Sequence, residues 1–294
     1  MGNRCVCLER QEVILARGQS AEALASLPGV QPTLASDATG KLNPDEVTLN
    51  ADGGLRYVGQ WQDNVRQGVG ILTRPDGSRY DGQFANNMAQ GSGRLVNSAG
   101  DIYDGEWSHD KAHGFGCLHQ QNGQSYEGQW QDDQQHGYGV EQWPDGARYE
   151  GCYVRNKKHG QGTMTWSQGS SYVGTFDEDE IHGLGAYVWA DGRTYNGQWQ
   201  HNCCHGVGDM VWPDGRLYHG FYECDRKHGE GCFRWADGRQ YSGQWKDGKQ
   251  HGFGRYLAAS GKVREGNWHH GQRLKWAGGE RDPRDSDGFV EKKT

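Results

Sequence analysis

A 23-residue period constrains this chain more than any other feature. Tyr-x-Gly-x-aromatic begins at Tyr57, Tyr80, Tyr103, Tyr126, Tyr149, Tyr172, Tyr195, Tyr218 and Tyr241 without a slip in register. A worn tenth copy, Arg264-Glu265-Gly266-Asn267-Trp268, follows at the same spacing. In each full copy the aromatic (Trp61, Phe84, Trp107, Trp130, Tyr153, Phe176, Trp199, Tyr222, Trp245) precedes six largely polar residues and Gly-x-Gly. A turn such as Pro75-Asp76-Gly77 or Pro213-Asp214-Gly215 then closes the unit. A fixed period of this length marks a repeat architecture in which each unit buries its apolar face on its neighbour.

One copy can be read physically. In Tyr126-Glu127-Gly128-Gln129-Trp130 a period of two puts Tyr126, Gly128 and Trp130 on one face and Glu127 and Gln129 on the other, which is a strand. The run Gly137 to Trp143 alternates likewise and groups Gly137, Gly139 and Trp143. Glycine weakens a strand, so its abundance here predicts rings lying flat over bare backbone. Pro-Asp-Gly suits a tight turn, because proline presets φ, aspartate bonds its own backbone and glycine accepts positive φ. Each unit is therefore a β-hairpin. One hairpin is marginal in water, so the units stack. The expected fold is all-β, an elongated single-sheet solenoid of about ten hairpins, a rod of about 95 Å at two strand spacings per unit.

Composition agrees with an aromatic rather than an aliphatic core. The 294 residues include 48 Gly, 12 Trp and 14 Tyr, and apolar residues make up 33%, below the roughly 45–50% of ordinary domains. The 11% aromatic share argues against disorder. A net charge of −7 argues against nucleic acid as a partner. The longest aliphatic run, Val13-Ile14-Leu15-Ala16, is far short of the roughly 20 residues of a membrane-spanning helix. The eight cysteines contain no C-x-x-C pair, which fits free thiols in a reducing cytoplasm.

Tyr-x-Gly-x-Trp, then His-Gly-x-Gly, then Asp-Gly on this period resembles the MORN (membrane occupation and recognition nexus) repeat. The resemblance runs from residue 57 to about residue 276; Gln67 and Gln90 replace the family's His in the first two copies, and Arg264 replaces Tyr in the last. It implies an elongated β-meander of the kind used in junctional membrane proteins, in cortical and ciliary cytoskeleton, and as an accessory to lipid kinases or SET methyltransferases.

The expected organisation is a flank over residues 1–46, a rod over 47–276 and a disordered charged tail over 277–294. In the flank, 7–17 and 20–27 read as short helices, and 47–56 reads as a half repeat capping the rod. Met1-Gly2-Asn3-Arg4-Cys5-Val6-Cys7 invites acylation, with myristate on Gly2 and palmitate on Cys5 and Cys7. Val6 stands where Ser or Thr is usual. One acyl chain anchors only marginally, so both signals are required.

Several periodic features carry candidate chemistry. Seven histidines (His113, His136, His159, His182, His205, His228, His251) recur every 23 residues. Ligands of one zinc lie about 2.0–2.1 Å from it, whereas successive copies are roughly 9–10 Å apart, so the expected role is structural and no metal is assigned. Cys203-Cys204-His205 lacks a fourth ligand in register. Arg155-Asn156-Lys157-Lys158 and Asp177-Glu178-Asp179-Glu180 are read as neighbouring hairpin loops of opposite sign. They form either a weak ion-pair ladder or a bipolar surface that orients a partner or an antiparallel homodimer. Arg193, Arg216 and Arg239 align as a phosphate-facing stripe for membrane lipid headgroups. Trp143, Trp166, Trp189, Trp212 and Trp235 join Tyr57, Trp61, Tyr103, Trp107, Tyr126, Trp130, Tyr195, Trp199, Tyr241 and Trp245 in an aromatic spine, and a partner groove is their alternative role.

The expected function is a non-catalytic scaffold or tether without a cofactor. It links a membrane or the cortical or ciliary cytoskeleton to protein partners from the cytoplasmic side. The alternatives are a phospholipid-headgroup-binding module and a regulatory arm of an enzyme acting in trans. The flanks are too short for a catalytic domain, and Gly-x-Gly lies in a strand rather than in the strand-to-helix setting of a nucleotide loop.

Overall fold

The computed structural model describes residues 54–277 and the backbone of 47–51. The chain forms two compact units. One runs up to Ser167 and includes Asp177–Asp179; the other comprises Gln168–Phe176 and the residues from Glu180 onward. In the first, β1 (Val47–Ala51), β2 (Leu55–Gln62), β3 (Val65–Thr73), β4 (Arg79–Ala85), β5 (Met88–Val96), β6 (Ile102–Ser108), β7 (Lys111–His119), β8 (Ser125–Gln131), β9 (Gln134–Gln142), β10 (Arg148–Val154) and β11 (Lys157–Thr165) form an antiparallel meander. The second unit takes up β12 (Ser171–Asp177), β13 (Glu180–Val188), β14 (Thr194–Gln200), β15 (Cys203–Val211), β16 (Leu217–Glu223), β17 (Arg226–Arg234), β18 (Gln240–Lys246), β19 (Lys249–Leu257), β20 (Val263–His269) and β21 (Gln272–Trp276). From β13 to β21 each strand again pairs antiparallel with the next. The worn tenth copy supplies β20 and β21, and the segment ahead of Tyr57 supplies β1. The helices expected at 7–17 and 20–27 and the tail after Ala277 lie outside the described residues.

The core occupies one face of each sheet. Tyr149, Tyr172, Tyr195, Tyr218 and Tyr241 are 0% exposed, although only one layer of strands is present. Each ring lies on a pair of glycines that face one another across the ladder, such as Gly151 and Gly162 or Gly220 and Gly231. A Cβ added at Gly231 would sit 2.6 Å from Cζ of Tyr218, so no other residue fits beneath the ring. The sides of each ring are closed edge-on by two further aromatics. Tyr218 meets Tyr222 at 5.1 Å and Trp245 at 5.3 Å between centroids, both near perpendicular, the arrangement that ring quadrupoles favour. The same alternation runs from Trp61 to Tyr153 in the first unit and from Phe176 to Trp268 in the second.

Tyrosine is required here rather than phenylalanine because of the bulge beside it. Between Gly243 and Trp245 the register shifts by two residues, at His251-Gly252 on the opposite strand. The Tyr241 hydroxyl donates to the carbonyl of Gln244, at 2.9 Å, where the ladder breaks. Tyr57, Tyr80, Tyr103, Tyr126, Tyr149, Tyr172, Tyr195 and Tyr218 each make the equivalent bond three residues on. The His-Gly dipeptide is thus a β-bulge whose glycine has positive φ, +59° at Gly252, and the histidine series is part of the backbone design.

The stretches 155–158 and 177–180 are not four-residue loops, contrary to the sequence reading. The strands continue through them, and the turn is only two residues long. Both turn residues have positive φ, as at Arg155 (52°) and Asn156 (66°), the geometry that suits the twist of a hairpin. The second turn residue also fastens each hairpin to the one before. Asp133 accepts from Ala112 N–H at 2.7 Å and donates its own N–H to the Ala112 carbonyl at 3.0 Å. Asn87, Asp110, Asn156, Asp179, Asn202 and Asp225 repeat this double clamp.

Candidate functional site

The aromatic face is committed to holding the sheet together. Tyr57, Tyr103, Trp107, Tyr126, Trp130, Tyr195, Trp199, Tyr241 and Trp245 are buried in it, and Trp61 is half-buried at its start. Trp107, Trp130, Trp199 and Trp245 also donate their indole N–H to the carbonyl of a glycine 14 residues earlier. The second tryptophan series extends this face past the strand ends, where Trp189 meets Tyr187 and both Trp212 and Trp235 meet Phe233. Trp143, Trp166, Trp189, Trp212 and Trp235 each stand one residue past a strand, at the start of the longer turn, and are half-buried. Four of them open a turn in which their N–H bonds the carbonyl four residues on.

Arg193, Arg216 and Arg239 do not form a free cationic stripe. Each guanidinium lies 2.7 Å from the carboxylate two residues before it, on Asp191, Asp214 and Asp237. Each also covers the tryptophan that opens its own turn, at 5.1–5.4 Å from the ring centroid. Hydrogen bonds from the arginine hold those carboxylates below their usual range, the backbone N–H leading at Asp191 and Asp237 and the guanidinium at Asp214. Every arginine therefore brings a matching negative charge with it, and the periodic positive field inferred from sequence is cancelled locally.

The oppositely charged loops also resolve differently from the sequence reading. Arg155 is a turn residue, whereas Lys157 and Lys158 open β11. Lys157 lies 3.0 Å from Glu178. Lys158 turns onto the aromatic face, over Trp143 and Tyr149, and approaches Glu141 at 3.7 Å and Asp179 at 3.8 Å. Glu141 is 7% exposed and accepts from Gln124 at 2.7 Å and from the Tyr153 hydroxyl at 2.8 Å. This buried polar cluster is satisfied internally and presents nothing to a ligand. Among the described residues no cluster of His, Cys, Asp or Glu could hold a metal ion. Gly2, Cys5 and Cys7 lie outside the described residues.

The outer face of the sheet carries no ring core, although Gln83 and Gln129 accept from the backbone N–H of Ser92 and Tyr138 at the bulge, and the two units differ in what it displays. In the first unit it carries Arg79, Gln83, Arg94, Glu106, Glu127 and Gln129, with Phe115 as its exposed large apolar side chain. In the second unit Val173, Leu184, Val188, Val207, Val211, Phe221, Phe253 and Val263 all stand at alternate positions facing away from the rings, each between 38% and 66% exposed. The register brings Val207 opposite Phe221 and sets Val211 opposite the half-buried Leu217. Sequence reasoning passed over this surface. Its signal is present in the middle residue of Gly-x-Gly, which is apolar in three of the last four full copies, at Leu184, Val207 and Phe253, with Glu230 the exception.

The family model described as MORN repeat matches residues 57–79, 80–102, 103–125, 126–148, 149–171, 172–192, 195–215, 218–238 and 241–263. No curated protein matches the chain. Among solved structures, the TCP10 domain of Danio rerio CPAP in complex with a peptide of Danio rerio STIL is similar at 12% identity and a TM-score of 0.42, over 79% of this chain and 98% of that one. The SAS-4 (dCPAP) TCP domain of Drosophila melanogaster, in complex with a proline-rich motif of Ana2 (dSTIL), is similar at 12% identity and a TM-score of 0.33, over 67% of this chain and 99% of that one. Likeness at this level carries no inference about partners.

Proposed function

The chain belongs to the MORN repeat family, and from that membership and the surface above we propose that it is a non-catalytic scaffold that binds proteins on the outer face of its second unit. One observation carries this reading. The aromatic face is consumed by folding, while eight large apolar side chains from Val173 to Val263 are turned to solvent on the other face. Contiguous exposed apolar surface on a soluble domain marks an interaction site. A scaffold also needs an anchor, and Gly2 with Cys5 and Cys7 supplies one of the right chemistry, a first acyl chain and the second required to make it stable. The protein so read tethers partners to a membrane or to the cortical or ciliary cytoskeleton without a cofactor.

The two parts are tested separately. Leu184→Asp with Phe221→Asp places charge on the outer face, where neither side chain supports the ladder of rings. Proteins co-purifying with the wild type should be lost from this variant while its circular dichroism is unchanged; an undiminished partner set would end the reading. Gly2→Ala should move the protein from the membrane to the soluble fraction, and unchanged membrane recovery would remove the anchor.

A further inference from the structure

The two-residue turns carry one side chain of each hairpin back onto the preceding hairpin, always 21 residues earlier. Glu178 Oε2 lies 3.0 Å from Lys157 Nζ, His201 Nδ1 lies 2.6 Å from Glu180 Oε2, and Asp247 Oδ1 lies 3.8 Å from Arg226 Nη1. In each case the later residue is the first of its turn and the earlier one is the first after the preceding turn. Cys224 and Cys203 occupy these two positions in the hairpins between the last two pairs. Their backbones are clamped, since Asp225 N–H donates to the Cys204 carbonyl at 3.0 Å and Cys204 N–H donates to Asp225 Oδ1 at 2.7 Å.

We propose that Cys203 and Cys224 form a paired dithiol that hydroperoxides close into a disulfide bridging successive hairpins. Cys224 is exposed and Cys203 half-buried, so Cys224 meets the oxidant first. Desolvation raises the Cys203 thiol, followed by the Asp225 charge, a hydrogen bond to Asp225 and the charge of Cys224. The two sulfurs are thus within electrostatic reach. The Cys224 thiolate attacks one peroxide oxygen, the O–O bond breaks, and a sulfenic acid forms as water or an alcohol leaves. The Cys203 thiolate then attacks Cys224 Sγ. The S–S bond forms, the S–O bond breaks, and hydroxide leaves to be protonated. Two thiols lose two electrons and two protons, and one hydroperoxide takes up both.

The test uses the full chain treated with hydrogen peroxide, followed by blocking of residual thiols, digestion and fragmentation mass spectrometry. The expected product is a cross-linked peptide pair joining Cys203 to Cys224, lighter by two hydrogens and cleaved by dithiothreitol. In Cys203→Ser the link should vanish and dimedone-trapped sulfenic acid at Cys224 should rise several-fold, whereas Cys117→Ser should cross-link as the wild type does. Circular dichroism confirms that each variant is folded. A link between Cys203 and Cys204, or equal sulfenic acid at Cys224 with and without Cys203, would overturn the pairing.

Discussion

The pairing of tyrosine over glycine makes Gly231→Ala the most informative single perturbation. The added methyl would lie 2.6 Å from Cζ and 2.7 Å from Cε2 of Tyr218, a ring with no exposed surface into which to retreat. Overpacking of this kind costs about 1–3 kcal/mol where the ring stays in place. If the ring moves instead, it loses the bond from its hydroxyl to Phe221 O, worth about 1 kcal/mol. Its two perpendicular contacts, with Tyr222 and Trp245, are worth about 0.5–1.5 kcal/mol each. The loss is therefore about 1–3 kcal/mol by the first route and about 2–4 kcal/mol by the second. Gly215→Ala is the control. Its φ is +88° and nothing lies within 4 Å of the added carbon, so only the left-handed backbone is penalised, by about 1–2 kcal/mol. Urea unfolding gives both values. Because repeat stability is set between neighbours, amide exchange should quicken first in β16 to β18 of Gly231→Ala. Tyr218→Ala should absorb most of the steric penalty when the two changes are combined. A Gly231→Ala cost within about 0.5 kcal/mol of zero, or one smaller than that of Gly215→Ala, would refute the idea that rings seated on glycines hold the sheet.

Other outcomes follow from the same geometry. Tyr222 buries a hydroxyl without a partner, whereas the Tyr153 hydroxyl donates to Glu141. Tyr222→Phe should therefore stabilise by about 1 kcal/mol and Tyr153→Phe should destabilise by at least as much, as read by melting temperature; equal effects would contradict the assignment. Asp133→Ala removes an inter-hairpin acceptor and leaves a left-handed residue without its favoured side chain, at about 1–3 kcal/mol, and Asp133→Asn should restore most of it. Burial pushes Tyr172 and Tyr241 up to about 12 and Tyr80, Tyr103, Tyr126, Tyr195 and Tyr218 higher. A folded chain that keeps protons the unfolded chain has released is stabilised below the unfolded value near 10 and loses that contribution as pH rises through 12. Phenolate absorbance from these seven tyrosines should consequently appear together with unfolding, and their gradual ionisation in a folded sheet near pH 10 would exclude tight burial.

The aromatic face could be read from sequence because its signal is redundant. Tyr, Gly and Trp recur at alternate positions in every copy, and a slip of one residue would place all the rings on the wrong side. The turns were harder to place, although their mark is present. The second turn residue is always Asn, Asp or Gly, from Asn64 to Gly271, but it lies inside a polar stretch that looks like a loop. Alternation alone placed Trp143 in a strand that ends one residue earlier, at Gln142. The arginine stripe misled for a related reason. Counting Arg193, Arg216 and Arg239 without the aspartate two residues before each leaves half of every ion pair out of the field.

The division of labour between the faces says where specificity must lie. Within this one chain the first residue of the motif is tyrosine in all nine full copies, and the two glycines beneath its ring do not vary. By contrast, the middle residue of Gly-x-Gly reads Val69, Ser92, Phe115, Tyr138, Gln161, Leu184, Val207, Glu230 and Phe253. Residues on the ring side are held by distances that exclude even a methyl group, so substitutions there are spent on the fold. Those on the outer side answer to no neighbour across a core. The ring side varies only where a side chain lies beside rather than beneath the ring, as at Leu72, Glu141, Met210 and Phe233, and the concentration of exposed apolar residues on the outer face of the second unit is a property that folding alone does not require. If that face binds nothing, replacing Leu184, Phe221 and Phe253 together by polar residues should improve solubility at no cost to the cell. A loss of partner binding with an intact aromatic ladder is the result expected here.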